Sequence, residues 1–314
     1  MPKTALSKLT QTIDDAMGVL GDAQDVGAIP IDANTNLQSL ITDCLDLCSA
    51  AVAPPKEPIR TIHHLSCTGG TLFAKCIAAM PNMLMLNEVD PLSPLPLQDG
   101  KSPFSPSDMI SLLRQGDPNT SPELLQRLFL HDIGLIYQEQ TSIGNSLVLR
   151  DHAHSHFLDG KTVPDRPTLR EIIAQEFPVK SILTVRDPID SFLSMQIQGW
   201  HKLFSPPTFE EYCRRYLVFL EKYEGVDIIK YEDFVANPRK VMQKICRSLE
   251  LDYMVDFQNL FSVFQFSGDS GRGGDVIEAR PRREISNEIA EEIQNSTAFK
   301  LLRENLNYNT KLQI

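Results

Sequence analysis

The chain is 314 residues long, with 42% hydrophobic residues and a formal net charge of -11. That length suits one large globular domain with an added segment, or two modest domains. The acidic balance excludes nucleic acid as the default partner, since a phosphate backbone is bound by clustered positive charge; an anionic ligand requires a local basic pocket. Cys44, Cys48, Cys67, Cys76, Cys213 and Cys246 show no C-x-x-C pair and no disulfide-type spacing. They read mostly as small core residues in a reducing compartment, and the expected location is cytoplasmic. The N-terminal stretch MPKTALSKLTQTIDDAM lacks the apolar run of a signal peptide, and no segment has about 18 uncharged apolar residues in succession, so no membrane span is expected.

In chain order, residues 1 to about 53 carry two weakly amphipathic helical patterns, Ala5 to Leu20 and Leu37 to Ala53. Pro54, Pro55 and Pro58 end that segment. Short apolar strands then alternate with longer helical patterns, which predicts an α/β fold: a central, mainly parallel sheet flanked by helices, with a helical N-terminal extension. The strand candidates are Ile59 to Leu65, Met83 to Leu86, Leu147 to Leu149, Ser181 to Val185 and Val226 to Ile229, all apolar as fully buried strands are. Helical patterns cover Thr71 to Met80, Pro106 to Arg114, Pro122 to Gln140, Thr168 to Phe177, Ile189 to Gly199, Phe209 to Tyr223, Arg239 to Leu249 and Asn287 to Leu306. Ser121-Pro122 and Asn237-Pro238 each set a capping side chain before a proline suited to a first helical turn.

Two of the connections carry chemistry. After the first strand, Ser66, Cys67, Thr68, Gly69, Gly70 and Thr71 turn the chain into a helix. Small residues there let backbone N–H groups and a helix N-terminus approach an anion; the alternative is a tight turn that binds nothing. The loop has no G-K-[ST], which argues against a nucleotide hydrolase with a metal-bound triphosphate. Farther on, ILTVRDPIDSFLSMQIQGW places Arg186 at a strand end and Ser194 on the following helix. An arginine grips a phosphate bidentately, the hydroxyl adds a bond, and Asp190 is expected to hold the turn. The alternative for the Arg-Asp-Pro is a surface ion pair plus a helix cap.

This segment resembles the 3′-phosphate-binding motif R-[DN]-x-x-D-x-x-x-S of sulfotransferases that use 3′-phosphoadenosine 5′-phosphosulfate (PAPS), with Arg186, Asp190 and Ser194 in register. The earlier turn is similar to the family's 5′-phosphosulfate loop, P-K-S-G-T-T, with Thr68, Gly69 and Thr71 on the serine, glycine and second threonine. IIKYEDFVANPRKVMQKICRSLEL resembles the Y-E-D segment, which puts Tyr231 near the adenine. The resemblance spans about Ile59 to Asp275. It implies a P-loop-type sulfotransferase domain over residues 59–314, and transfer of a sulfuryl group from PAPS to a hydroxyl, with a carbohydrate acceptor by family analogy and no metal. The implied partners are this nucleotide donor and a hydroxyl-bearing acceptor, while residues 1–53 are a candidate partner-recruiting element. A rival reading is a catalytically inactive nucleotide-binding or scaffold protein of the same fold.

One departure stands out: Cys67 occupies the place of the family's loop lysine, so the leaving group's charge must be met elsewhere, with Lys75, Arg150 and Arg272 as candidates. LVLRDHAHSHF resembles the strand-end K-T-H of cytosolic sulfotransferases, which implies His152 as base and Arg150 near the sulfate. His152, His154 and His156 alternate, so a metal site with Asp151 is the chemical rival. Glu88 resembles the glutamate base of the protein-tyrosine and bacterial carbohydrate branches; otherwise it is a solvated loop carboxylate. FSGDSGRGGDVIEARPRR is similar to the family's R-K-G-x-x-G loop through Arg272, Gly273 and Gly274, and the alternative is a solvated surface loop.

Overall fold

The computed structural model of the chain describes residues 56–94, 107–267 and 276–308, all within the unit Lys56–Ile314. The two N-terminal helical patterns, the first residue of the Pro106 to Arg114 pattern, and Arg272, Gly273 and Gly274 lie outside the described residues. In chain order the elements are β1 (Ile59–His64), α1 (Gly70–Ala78), β2 (Met83–Val89), α2 (Met109–Gly116), α3 (Pro122–Ser142), β3 (Ser146–Asp151), the single turn α4 (His154–Phe157), α5 (Leu169–Ile173), β4 (Val179–Val185), α6 (Pro188–Gln198), α7 (Phe209–Lys222), β5 (Asp227–Lys230), α8 (Tyr231–Ala236), α9 (Pro238–Leu249), α10 (Phe257–Leu260), α11 (Asn287–Asn295) and α12 (Thr297–Asn305).

The strands form one five-stranded sheet in the order β2-β3-β1-β4-β5, and every pairing is parallel. Central β1 is buried at every residue, although it carries Arg60, His63 and His64, because each finds hydrogen-bond partners there. Alternation along the strands divides the core between the faces. Val148 and Ile182 join Ile62 in a cluster with α1 and α9. Leu147 and Leu149 pack with α3 and α5, and Leu183 and Val185 pack with α6, α7, α11 and α12. Helices thus cover both faces, as the sequence predicts. The chain runs from β1 outward to β2 and back through β3, then to the opposite edge through β4 and β5, so a crevice opens at the carboxyl ends of the central strands.

Both predicted caps form. Ser121 Oγ accepts the Leu124 amide at 3.2 Å and Asn237 Oδ1 accepts the Lys240 amide at 3.2 Å, each before a proline in the first turn. Other expectations need correction. The pattern Asn287 to Leu306 is two helices, because Ser296 starts a new one: its hydroxyl accepts the Phe299 amide and donates to Glu210. The pattern Thr168 to Phe177 begins with a Thr168–Glu171 capping box but remains helical only to Ile173. Helix α8 was invisible to periodicity, being only six residues long. Cys76, Cys213 and Cys246 are buried reduced thiols. No described helix is long and apolar enough to cross a membrane.

Candidate active site

A cleft of about 520 Å³ opens at the carboxyl ends of the strands. One wall is the turn between β1 and α1. Cys67 and Gly69 take left-handed φ values of 64° and 90°, which reverse the chain within a few residues. Thr68 locks the reversal by donating its hydroxyl to the Leu65 carbonyl at 2.8 Å. Two glycines are required for contact rather than for flexibility: a Cβ on Gly69 would lie 2.5 Å from the Tyr231 ring, and one on Gly70 would lie 2.4 Å from the His64 ring. No side chain caps α1. Its first-turn amides, which have no intrahelical acceptor, therefore stand at the cleft wall formed by Gly69, Gly70 and Thr71.

Beside this turn, Arg186 leaves the end of β4. Its Nη1 donates to the Cys67 carbonyl at 3.1 Å, its guanidinium carbon lies 4.7 Å from the centre of the Tyr231 ring, and its buried Nε has no acceptor among the described residues. Ser194 faces the same cleft and donates to the Asp190 carbonyl at 2.8 Å, with no donor to its hydroxyl oxygen among the described residues. Asp190 does not hold the turn. Asp187 does, accepting the amides of Ile189 and Asp190, whereas the Asp190 carboxylate takes Arg282 Nε at 2.9 Å. Glu232 ties the Tyr231 segment to this motif by accepting the Asp187 amide at 2.9 Å and the Tyr308 hydroxyl at 2.7 Å.

The opposite wall is built by β2 and β3. Their register steps from Leu86↔Leu149 to Val89↔Asp151, three residues on β2 against two on β3. This bulge, with Glu88 at φ 58°, turns the Glu88 side chain toward β3. Glu88 Oε1 meets Arg150 Nη1 at 3.0 Å. Its Oε2 lies 3.5 Å from His152 Nε2 and has no hydrogen-bond donor among the described residues. Burial pushes this carboxyl up, with the Arg150 charge pulling the other way.

Arg150 is almost wholly buried and holds the floor together. It donates to His64 Nε2 at 2.8 Å, Asn87 Oδ1 at 2.8 Å, the Ser267 carbonyl at 3.1 Å and Thr71 Oγ1 at 3.0 Å. Because a guanidinium only donates, His64 carries its proton on Nδ1, which bonds the Leu65 carbonyl at 3.0 Å. Burial, then the Arg150 charge, holds His64 well below the usual histidine range. Burial likewise lowers His152, although Asp90 and Asp151 push back, and it lowers His154 further.

The alternating histidines do not act as a set. The His152 and His154 rings meet edge to face, 3.7 Å between centres, but His156 turns away and bonds the Pro164 carbonyl at 3.0 Å. Asp151 is also unavailable: it binds His63 Nδ1 at 2.6 Å and the Tyr223 hydroxyl at 2.8 Å. The metal site composed of Asp151 and the three histidines is therefore ruled out by where these side chains point.

The cleft thus gathers Cys67, Gly69, Gly70, Thr71, Glu88, Arg150, His152, Arg186, Ser194 and Tyr231 from the sequence prediction, and also Lys75. Thr68 supports the loop from below, fully buried, and Arg272 lies outside the described residues. His64, Trp200, Leu203, Phe261 and Arg280 also line the cleft. Of these, His64 had a readable signal, a histidine at the end of a strand just before a glycine turn.

A family model described as the sulfotransferase family matches residues 65–255, more than half of the chain. No curated protein matches the sequence. Solved structures similar to it include the sulfotransferase domain from the Synechococcus PCC 7002 olefin synthase, 20% identical, covering 83% of this chain and 98% of that one with a TM-score of 0.43. The sulfotransferase domain from the curacin biosynthetic pathway is 18% identical, with coverages of 82% and 100% and a TM-score of 0.45. Mouse sulfotransferase SULT7A1 complexed with PAP is 14% identical, with coverages of 82% and 92% and a TM-score of 0.38. The matched residues run from the glycine turn through the Arg186–Ser194 motif and the Tyr231 segment, and on this match the chain belongs to the sulfotransferase family.

Proposed function

We propose that the protein transfers the sulfuryl group of PAPS to an alcohol. One observation carries the reading: three segments far apart in sequence, the 66–71 turn, Arg186 with Ser194, and Tyr231, converge on a single cleft beside a histidine and a carboxylate. The residues present fit the nucleotide. The buried Arg186 Nε lacks an acceptor among the described residues, and α1 starts at the cleft wall with no side-chain cap among them. In this assignment Arg186 and Ser194 hold the 3′-phosphate, Cys67 to Thr71 hold the 5′-phosphosulfate, and Tyr231 borders the adenine.

When bound, PAPS supplies an electrophilic sulfuryl group on a phosphate leaving group. His152 takes the proton of the acceptor hydroxyl as that oxygen bonds to sulfur and the bond from sulfur to the bridging oxygen breaks. The positive charge that Cys67 cannot provide comes from Arg150, which His64, Thr71 and Asn87 fix in place. A second reading makes Glu88 the base, favoured by its buried Oε2, which has no hydrogen-bond partner among the described residues. Incubation with sulfur-labelled PAPS and a cell extract tests the proposal. Labelled product that disappears in Arg186→Ala supports it; nucleotide binding without any labelled product returns the protein to the scaffold reading.

A further inference from the structure

The Glu88, His152 and His154 side chains bring one ligand atom each to within 4.8 Å of one another. Their donors are two imidazole nitrogens and one carboxylate oxygen, the set that suits zinc-type divalent ions and not the all-oxygen shells preferred by magnesium or calcium. Two of the three side chains have an atom with no other use in the fold: Glu88 Oε2 and His154 Nδ1 are buried without a hydrogen-bond partner among the described residues. Buried polar atoms are nearly always matched in folded proteins, so two unmatched ones within a single group of potential ligands call for an explanation. The remaining Glu88 oxygen is held by Arg150 at 3.0 Å, which leaves Oε2 as the single carboxylate ligand and aims it toward His152. The bulge in β2 is what places it there.

We propose that Glu88, His152 and His154 bind one zinc-type divalent ion, and that its occupancy silences the enzyme by tying up His152. Three protein ligands leave a fourth position open toward the cleft, for water or the acceptor oxygen. The Arg150 charge opposes the ion and the Glu88 carboxylate favours it, which makes the site reversible rather than structural. The silencing half of the proposal rests on the sulfotransferase reading; the binding half does not.

Cobalt(II) serves as the probe, since its visible absorption reports tetrahedral nitrogen and oxygen ligation. One equivalent should develop such a band in the wild-type protein, zinc should displace it, and magnesium should not. Loss of even an outer-shell partner costs about 10–100-fold in metal affinity, so His154→Ala should weaken cobalt binding at least 100-fold. His154→Cys, which restores a ligand, should recover binding with an added thiolate-to-cobalt band, and stabilisation by 3′-phosphoadenosine 5′-phosphate (PAP) in both variants shows that they are folded. A cobalt band unchanged in His154→Ala, or no band at all, overturns the site. Binding without inhibition of labelled transfer overturns the silencing alone, whereas absence of transfer in the metal-free protein counts against the sulfotransferase reading and leaves the metal site standing.

Discussion

Two histidine–carboxylate clusters sit on either side of the end of β3, built from the same residue types with opposite outcomes. In the first, Asp151 is shared by His63 and the Tyr223 hydroxyl, and His63 Nε2 closes on Thr61 Oγ1 at 2.8 Å. His63 and Asp151 are buried, and the second His63 nitrogen and the shared carboxylate oxygen are both engaged. In the second, Glu88 and His154 each keep a buried atom without a partner among the described residues, and the group lines a cleft. A satisfied polar network rigidifies the strand end, and an unsatisfied one retains the capacity to bind or move a proton. Asp151, the last residue of β3, is thus locked into the fold, whereas His152, the next residue along the chain, faces the cleft.

The sharpest way to break that contrast is His152→Ala. If His152 is the base, turnover falls about 10²–10⁴-fold while PAP affinity stays within experimental error; Glu88→Gln measured beside it shows which of the two takes the proton. Full activity in His152→Ala with collapse in Glu88→Gln would hand the role to the carboxylate.

The closed cluster should respond in stability instead. Asp151→Ala leaves His63 and Tyr223 facing an empty position in the core, and each buried donor left unmatched costs about 1–3 kcal/mol. Chemical denaturation of wild type and variant reads this directly. A loss under 1 kcal/mol would show that the closed network contributes little and would erase the distinction drawn between the clusters.

What the sequence revealed follows the same division. Arg186, Ser194 and the 66–71 turn were legible because a strand, a tight turn and a helix place side chains at fixed offsets, and those offsets survive folding. The five strands were legible from their apolar runs. Glu88 was not placeable, because its direction depends on a bulge that no local pattern announces; the apolar run of β2 ends at Leu86, before the residues that matter. The His63–Asp151–Tyr223 network joins β1, β3 and α7, so nothing local identifies it. Asp190 was expected to hold the turn that Asp187 caps: Asp187 accepts the Ile189 and Asp190 amides, while Arg282, far off in sequence, pairs with both carboxylates, a contact no local pattern announces.

Smaller effects sharpen the picture at the nucleotide side. Arg186→Ala should weaken PAP binding by about 1.5–3 kcal/mol, the range for hydrogen bonds to a charged group, and Ser194→Ala by about 0.5–1.5 kcal/mol. Equal and negligible losses in calorimetric titration would dissolve the motif assignment. Tyr223→Phe removes one hydroxyl from the closed cluster and should cost about 0.5–1.5 kcal/mol of stability, with turnover unchanged; a drop in turnover would mean the two clusters are coupled through Asp151.

Titration of PAP into wild type and Arg186→Ala by calorimetry asks directly whether the cleft at the carboxyl ends of β1, β3 and β4 holds a phosphorylated adenosine nucleotide, as proposed. The account predicts one saturable site in the wild type, weakened about 10–100-fold in the variant, in line with the loss of charged hydrogen bonds. No heat of binding at millimolar PAP, or identical affinity in the two proteins, would contradict it.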